Sequence, residues 1–406
     1  MTALDDLVAR RDPVWPRLVG QLGGRGGMFQ QPVLAAAKGR VWVDGRPLLN
    51  FAAANYLGLA GHPAVRRAAA LALRRWPVAL SQPRLLATDS LTAALERELA
   101  GLVGQERALL FTSTLHAAHD VLPLLAGPRG ALFLDECAYP ISAAGARMAG
   151  ATPMRFAHND PADLGRLLHR CAARDKVIVC DGLYMSAGEP PPLAAFGALA
   201  ERHGATIYVD DAQGLGLMGH GPDWVRPYGR GGGGVMAYTA APSGRVVYVA
   251  TLAKALGIPL AFVAGPAGFI AYLRATAFTH SHNSPPALPV VAAALAATRV
   301  HAVEGDRLRR RLLGRVRQFR AGVGAGVGST HEWPEQAIYT PTPLAALRLG
   351  RHLRRAGIWP VAQFRPPDNP GGGAVRLLFS AQHTPADVER LVETIHAWPF
   401  LPRFYT

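Results

Sequence analysis

Short apolar runs alternate with helix-length amphipathic segments along the middle of the chain, between about residues 90 and 265. Continuous apolar strands of this kind are buried on both faces, and helical connections between them make the strands parallel. The pattern therefore predicts an α/β fold with a mainly parallel sheet and helices on both faces. The predicted strands are "ALLF", "GALFLD", "KVIVCD", "TIYVDDA" and "VVYVAT", and the predicted helices are "SLTAALERELAGLVG", one starting at Thr114, "AAGARMAG" and "PLAAFGALAERHG".

Four of the predicted strands end in a polar residue. In open α/β sheets, ligands bind in the crevice beyond the carboxyl ends of the strands. Because parallel strands present these ends at one edge of the sheet, we expect the four side chains to meet in one site. They are Asp135, Asp181, Asp210 and Thr251.

The two ends of the chain have a different pattern. Alternating apolar residues around Asp44-Gly45 predict a β-hairpin near the N-terminus. After residue 290 come basic helices, a glycine-rich connector and a Pro/Gly loop, then a strand and a helix capped near Thr384 with Pro385 behind it. We expect an N-terminal segment, 1–60, a large domain, 61–295, and a smaller C-terminal α+β domain, 296–406.

The composition is that of a globular, enzyme-sized protein. Of 406 residues, 50% are hydrophobic and 17% are charged, which allows a large buried core. No apolar run is long enough to span a bilayer, and the charged N-terminus fits neither a signal peptide nor an anchor. Cys137, Cys171 and Cys180 lack metal-like spacing and favour free thiols in a reducing compartment. We expect a cytoplasmic protein with no membrane association.

The net charge of +15 bears on the expected partners. The arginines are scattered and no nucleic-acid-binding motif appears, so nucleic acid is not an expected partner. A basic surface favours anionic partners, such as a phosphate-bearing thioester or an acidic acyl carrier protein. No metal is expected, because a zinc site needs three or four ligands and the closely spaced histidines form isolated pairs. The pairs are His116 with His119 and His280 with His282.

One lysine stands out chemically. Lys254, in "YVATLAKALG", is one of three lysines among 43 basic residues, and only lysine can lose its proton and form a Schiff base. Asp210 ends a buried strand and needs a compensating cation there. Pyridoxal phosphate (PLP) would engage both residues, through its aldehyde and its protonated ring nitrogen. Taken singly, a surface lysine and a turn-capping aspartate are the plainer interpretations.

Eight motifs follow one another along the chain: "NYLGLAGHP", "RALLFTSTLHAAHD", "LDECAYPISAAG", "CDGLYMSAGEPPPL", "VDDAQGLGLMG", "TLAKALG", "HNSPPAL" and "AVRLLFSAQHTP". This series resembles the α-oxoamine synthases, which are PLP-dependent enzymes with the transferase fold of type I. The resemblance runs from about residue 35 to the end of the chain. It implies that fold and PLP as the cofactor.

The resemblance also implies roles for individual residues. Lys254 corresponds to the Schiff-base lysine and Asp210 to the partner of the pyridine nitrogen. Thr251 and the backbone amides of Thr114-Leu115 would contact the cofactor phosphate, a dianion suited to a helix start. The remaining matches are Tyr139 over the cofactor ring, Gln213 at its phenolic oxygen, Arg376 on the amino-acid carboxylate, and Asn55 on the substrate.

Several positions depart from the family pattern. Tyr139 and Gln213 each stand where the family has a histidine; they can stack or donate a hydrogen bond but do not titrate near pH 7. An apparent insertion carrying "RGGGGVMAYTAAPSGR" lies between Asp210 and Lys254. The resemblance is therefore that of a divergent member of the family. Further replacements are Ala118 for an asparagine, Met185 for a serine, and Thr114-Leu115 for a glycine–aromatic pair.

The implied reaction is a decarboxylative condensation of an amino acid with an acyl thioester, from acyl-CoA or an acyl carrier protein, giving an α-amino ketone. The lost histidines lead us to expect a specialised biosynthetic pathway. The family also implies a homodimer, with "HNSPPAL" reaching the neighbouring cofactor. Two alternatives stay open: another PLP reaction (aminotransferase, lyase or decarboxylase), since one fold hosts many chemistries, or a non-catalytic partner subunit.

Overall fold

The computed structural model describes residues 10, 31–148, 150, 153–241, 244–324, 328–364, 369 and 371–399. The chain divides into two compact units. The larger unit contains residues 54–314 and 331–333, and the smaller unit contains residues 1–53, 315–330 and 334–406.

The predicted N-terminal hairpin is confirmed. Strand β1 (Val33–Ala37) pairs with β2 (Arg40–Val43), which pairs in turn with β3 (Arg46–Asn50), all antiparallel. Asp44 and Gly45 make the turn with positive φ angles of 51° and 73°. This is the backbone that a two-residue Asp-Gly hairpin loop requires.

The larger unit is built on a seven-stranded sheet. Its strands are β4 (Arg107–Phe111), β5 (Ala131–Asp135), β6 (Met154–Phe156), β7 (Lys176–Asp181), β8 (Ala205–Asp210), β9 (Val246–Thr251) and β10 (Ala261–Gly265). The spatial order is β4-β10-β9-β8-β7-β5-β6, and β10 runs antiparallel to both of its neighbours. The other six strands point the same way, so the predicted mainly parallel sheet is confirmed and six carboxyl ends lie along one edge.

Helices cover both faces of this sheet, as predicted. Those placed in the larger unit are α1 (Pro63–Arg75), α2 (Ser90–Leu102), α3 (Thr114–Ala126), α4 (Pro140–Met148), α5 (Pro161–Arg170), α6 (Leu193–His203), α7 (Val235–Thr239), α8 (Ala267–Thr276) and α9 (Phe278–His282). Helix α3 starts at Thr114 as predicted and is buried with strand residues such as Val179 and Val249. Helix α10 (Leu288–Val323) is continuous over 36 residues and contains the division point between the units.

The smaller unit has the predicted α+β character. Its C-terminal elements are β11 (Glu335–Thr340), α11 (Pro343–Arg355), β12 (Ile358–Trp359), β13 (Val361–Phe364), β14 (Gly373–Leu378) and α12 (Pro385–His396). Strands β11, β14 and β13 form an antiparallel three-stranded sheet in that order. Strand β12 instead pairs in parallel with β3, completing the N-terminal sheet.

These units differ from the three expected segments. The pairing of β3 with β12 draws the N-terminal strands into the unit that holds the C-terminal residues. The continuous helix α10 moves the other boundary from the expected residue 296 to residue 314. No helix among the described residues is both long and apolar enough to cross a membrane.

The predicted cap of the last helix gives a direct stability test. Thr384 Oγ1 accepts a hydrogen bond from the Asp387 amide at 3.2 Å, and the Asp387 carboxylate accepts one from the Thr384 amide at 2.9 Å. We expect Thr384→Ala to lower the free energy of unfolding by about 1 kcal/mol. Thr384→Ser keeps the cap and is the control; equal denaturant midpoints for the two variants would contradict the assignment.

Candidate active site

Two aspartates lie side by side at the carboxyl edge of the large sheet. Asp181 ends β7 and is the register partner of Asp210, which ends β8. Burial raises the pKa of Asp181 well above its ordinary value, and the nearby Asp210 charge raises it further. Burial also raises the pKa of Asp210, whereas Lys254 and the Ala212 amide lower it. The positive charge of Lys254 therefore favours ionisation of both aspartates.

Lys254 follows β9 and is held by its backbone. The Tyr56 amide donates to the Lys254 carbonyl at 3.3 Å, and the Leu57 amide donates to the Ala255 carbonyl at 3.1 Å. The Lys254 ammonium lies 5.9 Å from the centre of the Tyr139 ring. Lysine, aromatic ring and buried carboxylates are thus brought together, although they come from separate parts of the sequence.

Tyr139 and Gln213 are each oriented by a neighbour. The Tyr139 amide donates to Asp181 Oδ2 at 3.1 Å, which fixes the start of the turn before α4 while the side chain stays 57% exposed. Gln213 Oε1 accepts a hydrogen bond from the Tyr56 hydroxyl at 2.9 Å. Since the oxygen of this amide is engaged by Tyr56, its NH₂ group is the part that can donate elsewhere.

The start of helix α3 offers backbone amides at the same edge of the sheet. Ser113 caps the helix, its Oγ accepting from the His116 amide at 3.3 Å. The amides of Thr114 and Leu115 belong to the first turn, where an α-helix has no internal acceptors and carries partial positive charge. This is a ready anion site.

Thr251 and Asn55 stabilise local loops. The Thr251 hydroxyl donates to the Leu260 carbonyl at 2.8 Å and accepts from the Ala253 amide at 3.1 Å. Asn55 Oδ1 accepts from the Ala60 amide at 3.3 Å. To donate a hydrogen bond to a phosphate, the Thr251 hydroxyl would have to give up its bond to the Leu260 carbonyl.

Arg376 belongs to the smaller unit, on β14. It is 8% exposed, and its Nη1 lies 3.1 Å from Glu335 Oε1 while its Nε donates to Gln363 Oε1 at 2.6 Å. A carboxylate that binds this guanidinium would meet a side chain already aligned by two neighbours.

The fourth strand-end residue forms a polar cluster of its own. Asp135 accepts hydrogen bonds from the amides of Cys137 and Asn159, at 2.8 and 2.9 Å, and its Oδ1 lies 2.9 Å from His158 Nδ1. The ligand atoms of Asp135, Cys137 and His158 all lie within 4.8 Å of one another, a spacing that a metal ion could bridge. The three hydrogen bonds already satisfy the carboxylate as an anchor for these loops.

The side chains around Lys254 fit PLP. A buried carboxylate suits a protonated ring nitrogen, a lysine suits the aldehyde, an aromatic side chain suits the ring face, and a helix start suits the phosphate. Asp210, Lys254, Tyr139 and Thr114 supply these four features within the larger unit.

Comparison with known proteins agrees with this chemistry. The family model "Aminotransferase class I and II" matches residues 46–395. The 8-amino-7-oxononanoate synthase of Paracidovorax citrulli is 37% identical over 87% of this chain and 86% of its own length. That of Chromobacterium violaceum is 36% identical over 92% and 96%. Sphingomonas wittichii serine palmitoyltransferase superposes with a TM-score of 0.85 at 24% identity over 96% of each chain, which establishes the fold.

The matched model places the chain among the PLP-dependent transferases of the class I and II aminotransferase fold. More narrowly, the chain belongs to the α-oxoamine synthase family, PLP-dependent enzymes that condense an amino acid with an acyl thioester and release CO₂. The expected fold, cofactor and reaction class are thereby confirmed.

Three residues of this region were not assigned roles from the sequence. Asp181 was expected to join the strand-end site but without a role of its own, and it accepts a hydrogen bond from the Tyr139 amide. Tyr56 contacts both Gln213 and the Lys254 loop. Asp211 is fully buried beside Asp210, its Oδ2 accepting from the Tyr248 hydroxyl at 2.6 Å and from the Val235 amide at 2.7 Å. The adjacent acidic residues in "VDDA" were the available signal for Asp211.

Asp211 should make stability depend on pH. Burial raises its pKa from 3.8 to about 7, so its stabilising contribution is complete below pH 3.8 and is lost as the pH rises through 7. Replacing it by Asn removes this titration. We expect the free energy of unfolding of Asp211→Asn, minus that of wild type, to rise between pH 4 and 7, by up to on the order of 4 kcal/mol.

Chemical denaturation of both proteins across that range measures the difference. The altered hydrogen bonds of Asp211→Asn add a constant to the difference in unfolding free energy, and this constant does not change the slope of the difference against pH. A difference that stays flat, or falls with pH, would contradict a raised Asp211 pKa.

Proposed function

We propose that this enzyme condenses an amino acid with an acyl thioester at a site centred on Lys254 and Asp210, giving an α-amino ketone. The observation that carries the assignment is the placement of Lys254 beside the buried Asp181–Asp210 pair, within reach of the Tyr139 ring. The proposed residue roles rest on this geometry and on the motif resemblance.

PLP, when bound, supplies an electron sink for the carbanion formed at the amino-acid Cα. In the proposed mechanism Asp210 holds a proton on the ring nitrogen. Its burial makes the ionised carboxylate costly without a cation, and a pyridinium is such a cation. Lys254 would hold the cofactor through its amine, and the same amine is the group that would accept the α-proton of the amino acid. The Cα then forms a bond to the acyl carbon, the thiol leaves, CO₂ is lost and Cα is reprotonated.

The ends of the cofactor would be bound by different elements. The Thr114 and Leu115 amides and Thr251 are proposed to bind its phosphate, and the Gln213 amide group to donate to its phenolic oxygen. Arg376 is proposed to bind the substrate carboxylate, since a guanidinium fork suits a bidentate contact, and Asn55 to contact the substrate.

The proposal extends to the class of acyl donor and to the oligomeric state. The relatives described above are named 8-amino-7-oxononanoate synthases, whereas Tyr139 and Gln213 replace the family's histidines. This difference supports a specialised rather than a biotin-forming reaction. A net charge of +15 supports an anionic acyl donor, either CoA or an acyl carrier protein. We also propose a homodimer, in which "HNSPPAL" approaches the partner's cofactor.

Release of thiol from an acyl-CoA panel that depends on an added amino acid, with matching CO₂ release, tests the reaction. We expect Lys254→Arg to lower this rate by at least about 10²-fold, because arginine keeps the charge but cannot form a Schiff base or accept a proton. Lys176→Arg makes the same chemical change at the start of β7 and should leave the rate unchanged.

Borohydride reduction followed by peptide mapping should place the cofactor on Lys254 in wild type. Transfer of the amino group to a keto acid without thiol release would instead support an aminotransferase. Labelling at Lys38 or Lys176 alone would contradict the proposed site.

Tyr139 offers a test of stacking against acid–base chemistry. If its ring acts only by covering the cofactor, Tyr139→Phe should retain kcat/KM within about threefold, whereas Tyr139→Ala should lower it roughly tenfold, the cost of a lost aromatic contact. A Phe variant as impaired as the Ala variant would show that the hydroxyl is required.

A further inference from the structure

A cavity in the larger unit is lined in part by Gly229 and Arg230, at the start of the glycine-rich stretch between Asp210 and Lys254. This cavity has a volume of about 240 Å³, and none of its lining residues belongs to the site described above. Its lining includes four arginines against a single acidic side chain, Asp306. The arginines are Arg226, Arg230, Arg309 and Arg310.

Two of these arginines are compensated by local carboxylates. Arg226 Nη2 lies 2.9 Å from Asp223 Oδ2, and Arg309 forms an ion pair with Asp306. Arg230 and Arg310 are exposed, and neither forms an ion pair with another residue in the described part of the chain. The cavity wall therefore carries two guanidinium charges more than its neighbouring carboxylates balance.

Arg309 is only 3% exposed, which is unusual for an arginine. Its Nη1 donates to the Gly216 carbonyl at 2.8 Å and lies 2.8 Å from His301 Nε2, and burial lowers the pKa of Arg309. Burial and the Arg309 charge lower the pKa of His301 to about 4, so this imidazole is neutral and can accept. Arg309 Nε is buried and has no hydrogen-bond partner among the described residues.

The backbone of the glycine-rich stretch packs directly against Arg309. Gly232 has a φ of +66°, and a Cβ there would collide with Arg309 Nη1 and His301 Nε2. The Gly231 amide donates to Asp306 Oδ1 at 3.0 Å, tying the same segment to helix α10. A buried guanidinium N–H without an acceptor is costly, and an anion in the cavity could supply one.

We propose that this cavity is an anion-binding site for a phosphate group, bound by Arg230, Arg310 and the buried Arg309. Guanidinium groups match phosphate oxygens in geometry as well as charge. A volume of about 240 Å³ is below that of ordinary pockets for drug-sized ligands, so it suits a phosphate or diphosphate group rather than a whole coenzyme. The proposal does not depend on the reaction assigned above.

Phosphate chemistry could come from a free inorganic anion or from a phosphate-bearing coenzyme. Isothermal titration of the PLP-loaded enzyme with diphosphate, and separately with CoA, tests both sources. The bound cofactor keeps its own phosphate site filled. We expect diphosphate to bind once per chain, weakened at least tenfold in Arg310→Gln and further in Arg230→Gln/Arg310→Gln. For CoA, binding at this cavity is the part that is lost in these variants, whereas binding as acyl donor at the Lys254 site does not depend on Arg310.

Arg311→Gln is the matched control, because Arg311 is the next exposed arginine of the same helix and does not line the cavity. Its affinity should stay within twofold of wild type. Dependence on Arg310 with diphosphate alone would indicate an inorganic anion, and with CoA as well a coenzyme phosphate. No binding of either probe, or equal losses in Arg310→Gln and Arg311→Gln, would overturn the proposal.

Discussion

The structure of the site depends on the cost of burying carboxylates at the ends of parallel strands. Register pairs Asp181 with Asp210, and Asp211 follows immediately in a buried position. Three acidic groups crowded at one edge of a sheet cannot all be ionised without compensation. Asp211 is stabilised by the Tyr248 hydroxyl and the Val235 amide, and Asp181 by the Tyr139 amide. Asp210 has Lys254 and one amide, which leaves it the natural partner for a cationic ring.

Local chemistry made much of the fold predictable. The Asp44-Gly45 turn and the Thr384 cap were correctly predicted because a few adjacent residues determine their geometry. The apolar runs identified the strands because burial on both faces removes polar positions. The pairing of β3 with β12 joins residues about 300 positions apart, and no local periodicity encodes such a contact. Helix α10 continues through Gly305 and Gly314, where intrinsic propensity alone favours a break.

The candidate site was predictable to the extent that chemistry, rather than register, identifies its residues. Lys254 and Asp210 were identified because PLP would engage an amine and a buried carboxylate together, and because both residues lie in motifs that resemble the α-oxoamine synthases. Asp181 could not be assigned a role, because its contact with the Tyr139 amide depends on which strands are neighbours. Asp135 was expected to join the same group, but the loop that follows β6 supplies His158 and the Asn159 amide, which satisfy it separately.

The use of arginine and lysine in this chain separates two kinds of basic function. Arg309 binds the Gly216 carbonyl, His301 and Asp306 at once, a task that needs a planar fork and a permanent charge. A Cβ at Gly216 would lie 2.7 Å from Ala255 Cβ, so the loop that Arg309 supports packs against the residue after Lys254. Lys254 needs the opposite property, an amine that can lose its proton. Only three of the 43 basic residues are lysines, and one of them stands where arginine could not do the chemistry. Arg309 stabilises the loop that packs against the residue after this lysine.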